Sequence, residues 1–361
     1  MSIQELRANW TTFGEQDPLW AILTHPARKD GRWDLVEFMA TGVADVANLI
    51  EDCKQLVDPS RWRTALDFGC GVGRLTQALA DAPETDFQTI VGVDIATSMI
   101  DEARRLNRYS ERCDYIVNED ADLHRLESDS FDFILTLLVL QHMEPSLSTA
   151  YIAEFVRLLR PGGLAVFQLP HALIDNDQRP LLPGPDARRA ELTCDAEIVE
   201  MAGGQSRSLD ITVANVSEHA WSPSQRVKLA NRWLSADAQE VVQDDGRTML
   251  PPLLPGERCT LAHIFQAPTA PGRYVLDIDV VEELVAWFGD DGSTPMRFEV
   301  TISPATGAAP RPGPVMEMHA VPRETVFDVV ERSGGRLLQM TESADSPDWI
   351  SYRYFVTKAA R

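Results

Sequence analysis

The chain has no Cys-x-x-Cys pair and no His/Cys cluster at zinc-ligand spacing; its five cysteines stand apart at positions 53, 70, 113, 194 and 259. A structural zinc site is therefore not encoded locally, no metal is expected, and the thiols read as free groups of a reducing compartment. No apolar run approaches eighteen residues, and the opening Met-Ser-Ile-Gln-Glu-Leu lacks the basic-then-apolar order of a secretion signal. The sequence thus predicts a cytoplasmic protein with no membrane partner. Positive charge is also scarce: 33 Lys and Arg face 55 Asp and Glu, a formal net charge of −22. A phosphate backbone would be repelled over most of such a surface, so no nucleic-acid partner is expected and the acidity reads as solubility.

What is present is ample material for a core: 361 residues, 44% of them apolar and 24% charged, long for one domain and comfortable for two. From Thr64 to Pro170 short apolar runs alternate with helical patterns. The expected strands are Thr64 to Phe68, Thr89 to Val93, Tyr115 to Val117, Phe131 to Val139 and Leu164 to Leu169. The expected helices start at Arg74 and run from Ser98 to Leu106 and Thr149 to Leu159. Strands separated by helices need right-handed crossovers, which predicts a doubly wound, Rossmann-like α/β sheet covered on both faces.

Beyond a proline-bearing linker over 172–189 the grammar changes. Six strand-like runs follow within 190–302 (Glu191 to Val199, Leu209 to Val216, Arg226 to Trp233, Cys259 to Phe265, Tyr274 to Val281, Met296 to Ile302), divided by Asp-Asp-Gly, Leu-Pro-Gly-Glu and Ala-Pro-Gly turns. Helical periodicity is nearly lost, so this stretch is expected to be an all-β sandwich. A second proline-rich linker, 303–321, precedes a helix over Arg323 to Arg332 and two strands, Arg336 to Met340 and Ser351 to Thr357, within 322–361. One helix and two strands cannot bury their own apolar faces. They are expected to return to the first sheet, which makes the sandwich an insertion. Residues 1–60, with Trp10, Trp20, Trp33 and a helical tract from Leu35 to Leu56, read as a helical cover or as a lid over a substrate.

The chemistry centres on Leu-Asp-Phe-Gly-Cys-Gly-Val-Gly-Arg, Leu66 to Arg74. A strand, a glycine turn and a helix start present backbone N–H groups to a ligand above them. The glycines are spaced Gly-x-Gly-x-Gly, which fails the third-glycine test of a dinucleotide site. Asp67, two residues before the first glycine, would sit poorly beside a pyrophosphate but could orient an ammonium group. Asp94 closes the second strand, where a carboxylate grips ribose hydroxyls in either ligand class.

With Leu-Asp-Phe-Gly-Cys-Gly-Val-Gly, Val-Gly-Val-Asp-Ile-Ala, Ser-Phe-Asp-Phe-Ile-Leu-Thr and Leu-Leu-Arg-Pro-Gly-Gly in order, the chain resembles the class I S-adenosylmethionine-dependent methyltransferases, over about Arg61 to Pro170 and more weakly Val321 to Lys358. The resemblance implies a seven-stranded sheet whose last strand is antiparallel, with S-adenosylmethionine as cofactor. It implies that the main chain of Gly69, Cys70 and Gly71 packs against the methionine part, that Asp67 supports the amino group and that Asp94 takes the ribose. Ile95 and Met99 would flank the adenine. Glu119 or Asp120 would meet its amine, although the family often has Gly-Asp-Ala where this chain has Asn118-Glu119-Asp120-Ala121. Thr136 and Leu137 would line the methyl side. The inserted stretch, with Trp221, Trp233 and Trp287, looks like immunoglobulin-like modules of some bacterial glycan-processing proteins; the plainer reading makes the tryptophans core of a structural or dimerising domain.

A sulfonium methyl is already electrophilic, so the protein must align a nucleophile and exclude water. A hydroxyl nucleophile also needs a base, for which His142 is the best placed, then His171 after the fifth strand, then His25. No Asn-Pro-Pro-Tyr and no Pro-Cys pair is present, which disfavours DNA-base acceptors. The sequence therefore predicts methyl transfer to oxygen on a small-molecule or glycan acceptor, with a homo-oligomer formed through the sandwich. The rivals are a non-catalytic cofactor-binding protein that recruits partners through its sandwich, and a nicotinamide oxidoreductase.

Overall fold

The computed structural model describes residues 1–25, 28–174, 180–304, 314–343 and 348–359. Chain contacts divide it into two units: 1–24, 30–174 and 314–361 form the first, 25–29 and 175–313 the second.

The first unit opens with α1 (Ile3–Gln16), started by a reciprocal capping box between Ser2 and Glu5, then α2 (Pro18–Ile22) and α3 (Leu35–Lys54), capped by Asp17 and Asp34. Such side-chain oxygens satisfy N–H groups that a helix start leaves open. The doubly wound part follows: β1 (Thr64–Phe68), α4 (Arg74–Ala80), β2 (Thr89–Asp94), α5 (Thr97–Leu106), β3 (Cys113–Val117), β4 (Phe131–Thr136), α6 (Pro145–Leu158) and β5 (Leu159–Leu173).

The second unit contains β6 (Ala190–Thr193), β7 (Glu200–Ala202), β8 (Ser206–Asn215), β9 (Val227–Ser235), β10 (Val241–Met249), β11 (Arg258–Gln266), β12 (Gly272–Glu282), β13 (Ala286–Trp287) and β14 (Met296–Ser303). The chain then returns to the first unit as α7 (Arg323–Arg332), β15 (Gly335–Ser343) and β16 (Trp349–Lys358). Gly334, at φ +82°, turns the chain out of α7.

The first sheet has seven strands in the order β15-β16-β5-β4-β1-β2-β3. β1 to β5 pair in parallel, and β16 runs antiparallel to both of its neighbours, β5 and β15. Side chains alternate across it with period two. Leu66, Ile134, Ala165, Phe167 and Tyr354 face a core shared with α6 and α7, while Ala65, Phe133, Leu135, Val166 and Phe355 face one shared with α3 and α4. Both faces being covered, these strands are apolar almost throughout. The chain runs outward from β1 through β2 to β3, then crosses back to β4 beside β1. That reversal opens a crevice at the carboxyl ends of β1 and β4, where open α/β sheets bind ligands.

The second unit is two sheets, β10-β9-β12-β14-β7 with β13 added to β12, and β11-β8-β6, sharing one core. Every second residue enters that core, as Leu209, Ile211 and Val213 of β8 and Leu276, Ile278 and Val280 of β12 show. Trp221 and Trp233 are fully buried, their indole N–H groups donating to Ala187 O and Gln266 O, whereas Trp287 is half-buried with the Arg232 guanidinium 4.4 Å from its ring centre.

Several expectations change; the strand expected over Phe131 to Val139, for one, ends at Thr136. Asp244-Asp245-Gly246 lies inside β10, not in a turn, because the ladder to β9 absorbs Gly246 as a bulge at φ +65°, where a Cβ would collide with Asn231 Oδ1. The strand expected over Glu191 to Val199 ends at Thr193, and β7 starts at Glu200. Both linkers are shorter than read: Leu182 and Ala187 belong to the second unit's core, and residues 314–321 are tied to the first unit by backbone bonds from His319 to Gln141 and from Val321 to Pro170. The middle of each linker, 175–179 and 305–313, lies outside the described residues.

Candidate functional site

At the reversal point β1 delivers Asp67 and the loop Gly69 to Gly73, and β4 delivers Leu137 to Met143 from the other side. Gly69 and Gly71 sit at φ +73° and +52°; a Cβ on Gly69 would strike the Val139 side chain, and one on Gly71 would strike Ile22 Cδ1. The loop is therefore glycine for both conformation and clearance. Gly69 and Cys70 N–H both donate to Val93 O, at 2.7 and 3.0 Å, which docks the loop on the end of β2.

Asp94 completes that docking: one carboxylate oxygen accepts from Gly71 N–H and the other from Ala96 N–H, both at 2.9 Å. Burial raises its pKa, against the lowering effect of those bonds. Each oxygen keeps a lone pair for a further donor. Asp67 is 1% exposed and accepts from Thr76 Oγ1 at 2.6 Å. Loss of water pushes its carboxyl up to about 6, outweighing the Thr76 bond and the Arg74 charge. Burial, with Asp94 and Asp67 nearby, also holds the Cys70 thiol well above its usual range, so it lines the cleft as a neutral group.

These groups border a cleft of about 930 Å³, part of it open to solvent. Of the residues singled out from sequence, Asp67, Gly69, Cys70, Gly71, Asp94 and Ile95 line it, as do Met99, Leu137 and His142. Glu119, Asp120, Thr136 and His171 are not among its lining residues. Glu119 pairs with Arg7 of α1 at 2.8 Å, and the Asp120 carboxylate lies 3.4 Å from Arg125 Nε. Thr136 is buried with its hydroxyl unpartnered. His171 Nδ1 accepts from Arg323 N–H at 3.0 Å, a cap on the first residue of α7. His25 is exposed and falls in the second unit.

Trp10 of α1, read from sequence as part of a cover or lid, also lines the cleft; Leu6 of α1, Ile22 of α2 and Leu138, which holds a left-handed φ of +60°, had no sequence signal. Asn118 replaces its two acidic neighbours in the lining, its amide donating to Asp120 O and Asp122 O at 3.0 Å. Proximity to the end of β3 was the only clue to it.

His142 closes a short turn, Leu140–His142, and is 8% exposed. Its Nδ1 lies 2.7 Å from Glu317 O, an acceptor only, so Nδ1 carries the proton and Nε2 the lone pair. Gln141 Nε2 makes a long 3.3 Å approach to that lone pair, and the Trp10 ring lies 5.2 Å away. Burial lowers the pKa of His142, with a smaller push from His319, over the opposing effect of the Glu317 carbonyl. The imidazole is thus neutral at pH 7.

Residues 314–321 strap this corner to α1: Asn9 donates to Val315 O and accepts from Val315 N–H, each at 2.7 Å. Among the described residues one group has metal-ligand character, Glu144, Glu317 and His319, with ligand atoms within 4.8 Å of one another. Glu144 there pairs with the Met1 amino group at 2.7 Å, and Glu317 with His319 at 3.2 Å.

Residues 66–167 match a family model described as methyltransferase domain. That stretch of the chain is a methyltransferase domain. It is 29% identical over 157 residues to a tRNA N(3)-methylcytidine methyltransferase of Drosophila melanogaster, covering 42% of this chain and 45% of that protein. It is 32% identical over 107 residues to a malonyl-[acyl-carrier protein] O-methyltransferase of Enterobacter lignolyticus, covering 30% and 39%. The chain spans half or less of the length of the first curated relatives it matches. Magnesium protoporphyrin IX methyltransferase of Synechocystis PCC 6803, solved with bound SAH, aligns over 99% of this chain and 100% of that one at 12% identity and a TM-score of 0.44.

The methyltransferase domain's residues fit S-adenosylmethionine. A buried carboxylate with one neutral donor, Asp67, gains from a cationic partner, and the free lone pairs of Asp94 suit hydroxyl donors.

Proposed function

We propose that the chain is a methyltransferase that moves a methyl group from S-adenosylmethionine to an oxygen of a small-molecule acceptor, with His142 as general base. The observation that supports it most is the meeting, in one cleft, of the glycine loop, two carboxylates and a neutral imidazole whose Nε2 is free of a strong partner. When bound, the cofactor supplies a methyl group already made electrophilic by a positive sulfur. In this reading Asp67 holds the amino group, Asp94 the ribose hydroxyls, and Ile95 and Met99 the adenine. His142 takes the hydroxyl proton at Nε2, a role worth roughly 10²- to 10⁴-fold in rate. Leu6, Trp10 and Ile22 keep water from the reacting atoms.

A glycan acceptor is suggested by the inserted unit alone, and the cleft lining is mostly apolar. The test is direct. Calorimetry should show uptake of S-adenosylhomocysteine but not of NADH, and tritium from labelled S-adenosylmethionine should reach an oxygen acceptor. Binding of NADH in preference would overturn the proposal.

A further inference from the structure

We infer that the acceptor is a hydroxylated aromatic ring, its hydroxyl at His142 Nε2 and its apolar body beside Trp10. The inference rests on the methyltransferase reading above and narrows its substrate class.

The first support is the distribution of polar groups. Among the described residues the cleft lining holds two carboxylates, Asp67 and Asp94, both at the glycine loop, and one guanidinium, Arg74. Arg74 pairs through Nη1 with Asp45 and Thr41, and its Nε is buried without a partner. Beside His142 the lining includes Trp10, Leu137, Leu138, Val139 and Met143; the polar groups that join them are Gln141 Nε2, 3.3 Å from His142 Nε2, and the Asn118 amide and Tyr151 hydroxyl, both already donating to backbone carbonyls. A sugar in such a pocket would leave most of its hydroxyls without partners, and each unpaired buried hydroxyl is costly. Among those same residues an ammonium acceptor would find no carboxylate, and a phosphorylated or carboxylated head no cation.

The second support is the strength of the base. Nδ1 is committed to the Glu317 carbonyl and Nε2 holds the lone pair, so the ring can accept one proton. Burial holds its pKa below 6.5. A phenolic hydroxyl, with a pKa of about 10, is far easier for an imidazole to deprotonate than an aliphatic alcohol, close to water at about 15.7. A weak, neutral imidazole therefore suits the first and not the second. In the transfer the acceptor oxygen gives its proton to Nε2 and bonds to the methyl carbon. The C–S bond breaks with its electron pair left on sulfur, giving the neutral thioether, and the imidazolium returns its proton to solvent.

The test uses the full chain with S-adenosylmethionine and five probes: 2-naphthol, decahydro-2-naphthol, methyl glucoside, benzoate and benzylamine. Label is expected on 2-naphthol alone, and calorimetry in saturating S-adenosylhomocysteine should show 2-naphthol binding and no binding of methyl glucoside. Among ring-substituted phenols the rate should rise as phenol pKa falls. His142→Gln should lose about 10²- to 10⁴-fold on 2-naphthol at pH 7, yet much less on an electron-poor phenol already ionised at that pH. A merely structural histidine would harm both equally. Should that variant not fold, the phenol series on the unaltered protein decides alone. Label on the glucoside, the carboxylate or the amine, with S-adenosylhomocysteine bound, overturns this inference and spares the methyltransferase reading. Failure to bind S-adenosylhomocysteine overturns both.

Discussion

At the scale of single residues, the two cleft carboxylates make separable predictions. Asp67 must be ionised to pair with an ammonium group, and without the cofactor it titrates at about 6. A bound cation lowers that value, so affinity should be level above pH 6 and fall by about tenfold per unit below it. It should fall again at alkaline pH, where the ligand's α-amino group loses its proton. Titration calorimetry with S-adenosylhomocysteine at pH 5 and 7 measures this, and Asp67→Asn should remove the acid limb. Asp94→Asn keeps one backbone bond but turns an amide N–H₂ toward the other donor. A charged hydrogen bond is worth about 1.5–3 kcal/mol, so binding should weaken roughly 10- to 100-fold. For His142, whose pKa is lowered, the base is neutral at high pH. Then kcat/KM should rise with pH through an apparent pKa below 6.5 and level off, in surroundings that include His319, Glu317 and Glu144.

At the scale of elements, the cleft depends on how α1 and the 314–321 strap are joined. Asn9→Ala deletes both bonds to Val315, each worth about 0.5–1.5 kcal/mol on an exposed surface. The melting temperature should change little, while KM for the acceptor should rise several-fold as α1 loosens; an unchanged KM would show that α1 is a fixed wall. Gly69→Ala is the contrasting case, because it forces a Cβ into Val139 at a left-handed φ. A loss of about 1–3 kcal/mol in unfolding free energy is expected from denaturant titration.

The same elements show what could be read in the sequence. The parallel strands were legible because strands buried on both faces read as short apolar runs, and α7 because a 3.6-residue stripe ends at Gly334 and Gly335. β10 was hidden because it is an edge strand, and edges tolerate the polar Gln-Asp-Asp-Gly-Arg run that otherwise spells a turn. Asp67, the loop and Asp94 were found because each stands at a strand end fixed by local pattern. The bond from His142 to Glu317 spans 175 residues, and no periodicity records a contact of that separation. For the same reason Trp10 could be placed in a cover but not against His142.

At the scale of the molecule, each unit has its own buried core, so thermal unfolding should show two transitions rather than one. Differential scanning calorimetry with S-adenosylhomocysteine at 100 times its Kd should raise one transition, by about 2.7 kcal/mol of stability, and leave the other where it was. Acid should act on the second unit through His263, which is fully buried between Thr248 and Asn231 and held neutral by burial, with a pKa of about 4. Its folded value lies below the unfolded 6.5, so its contribution is complete above pH 6.5 and is lost as pH falls toward 4. Asp279, raised to about 6 by burial, gains stability over nearly the same window and offsets part of that loss. An NMR titration should find one imidazole with a midpoint near 4.

The central sheet is discontinuous in the chain, with β16 wedged between β5 and β15. On the ribosome β5 emerges early, but the strand that covers its flank appears only after the whole second unit has been made. At about 5–20 residues per second that flank stays bare for on the order of ten seconds or longer. The nascent chain therefore passes through a sticky stage before its sheet is closed on that side, and moving the last two strands ahead of the insertion by circular permutation should shorten it.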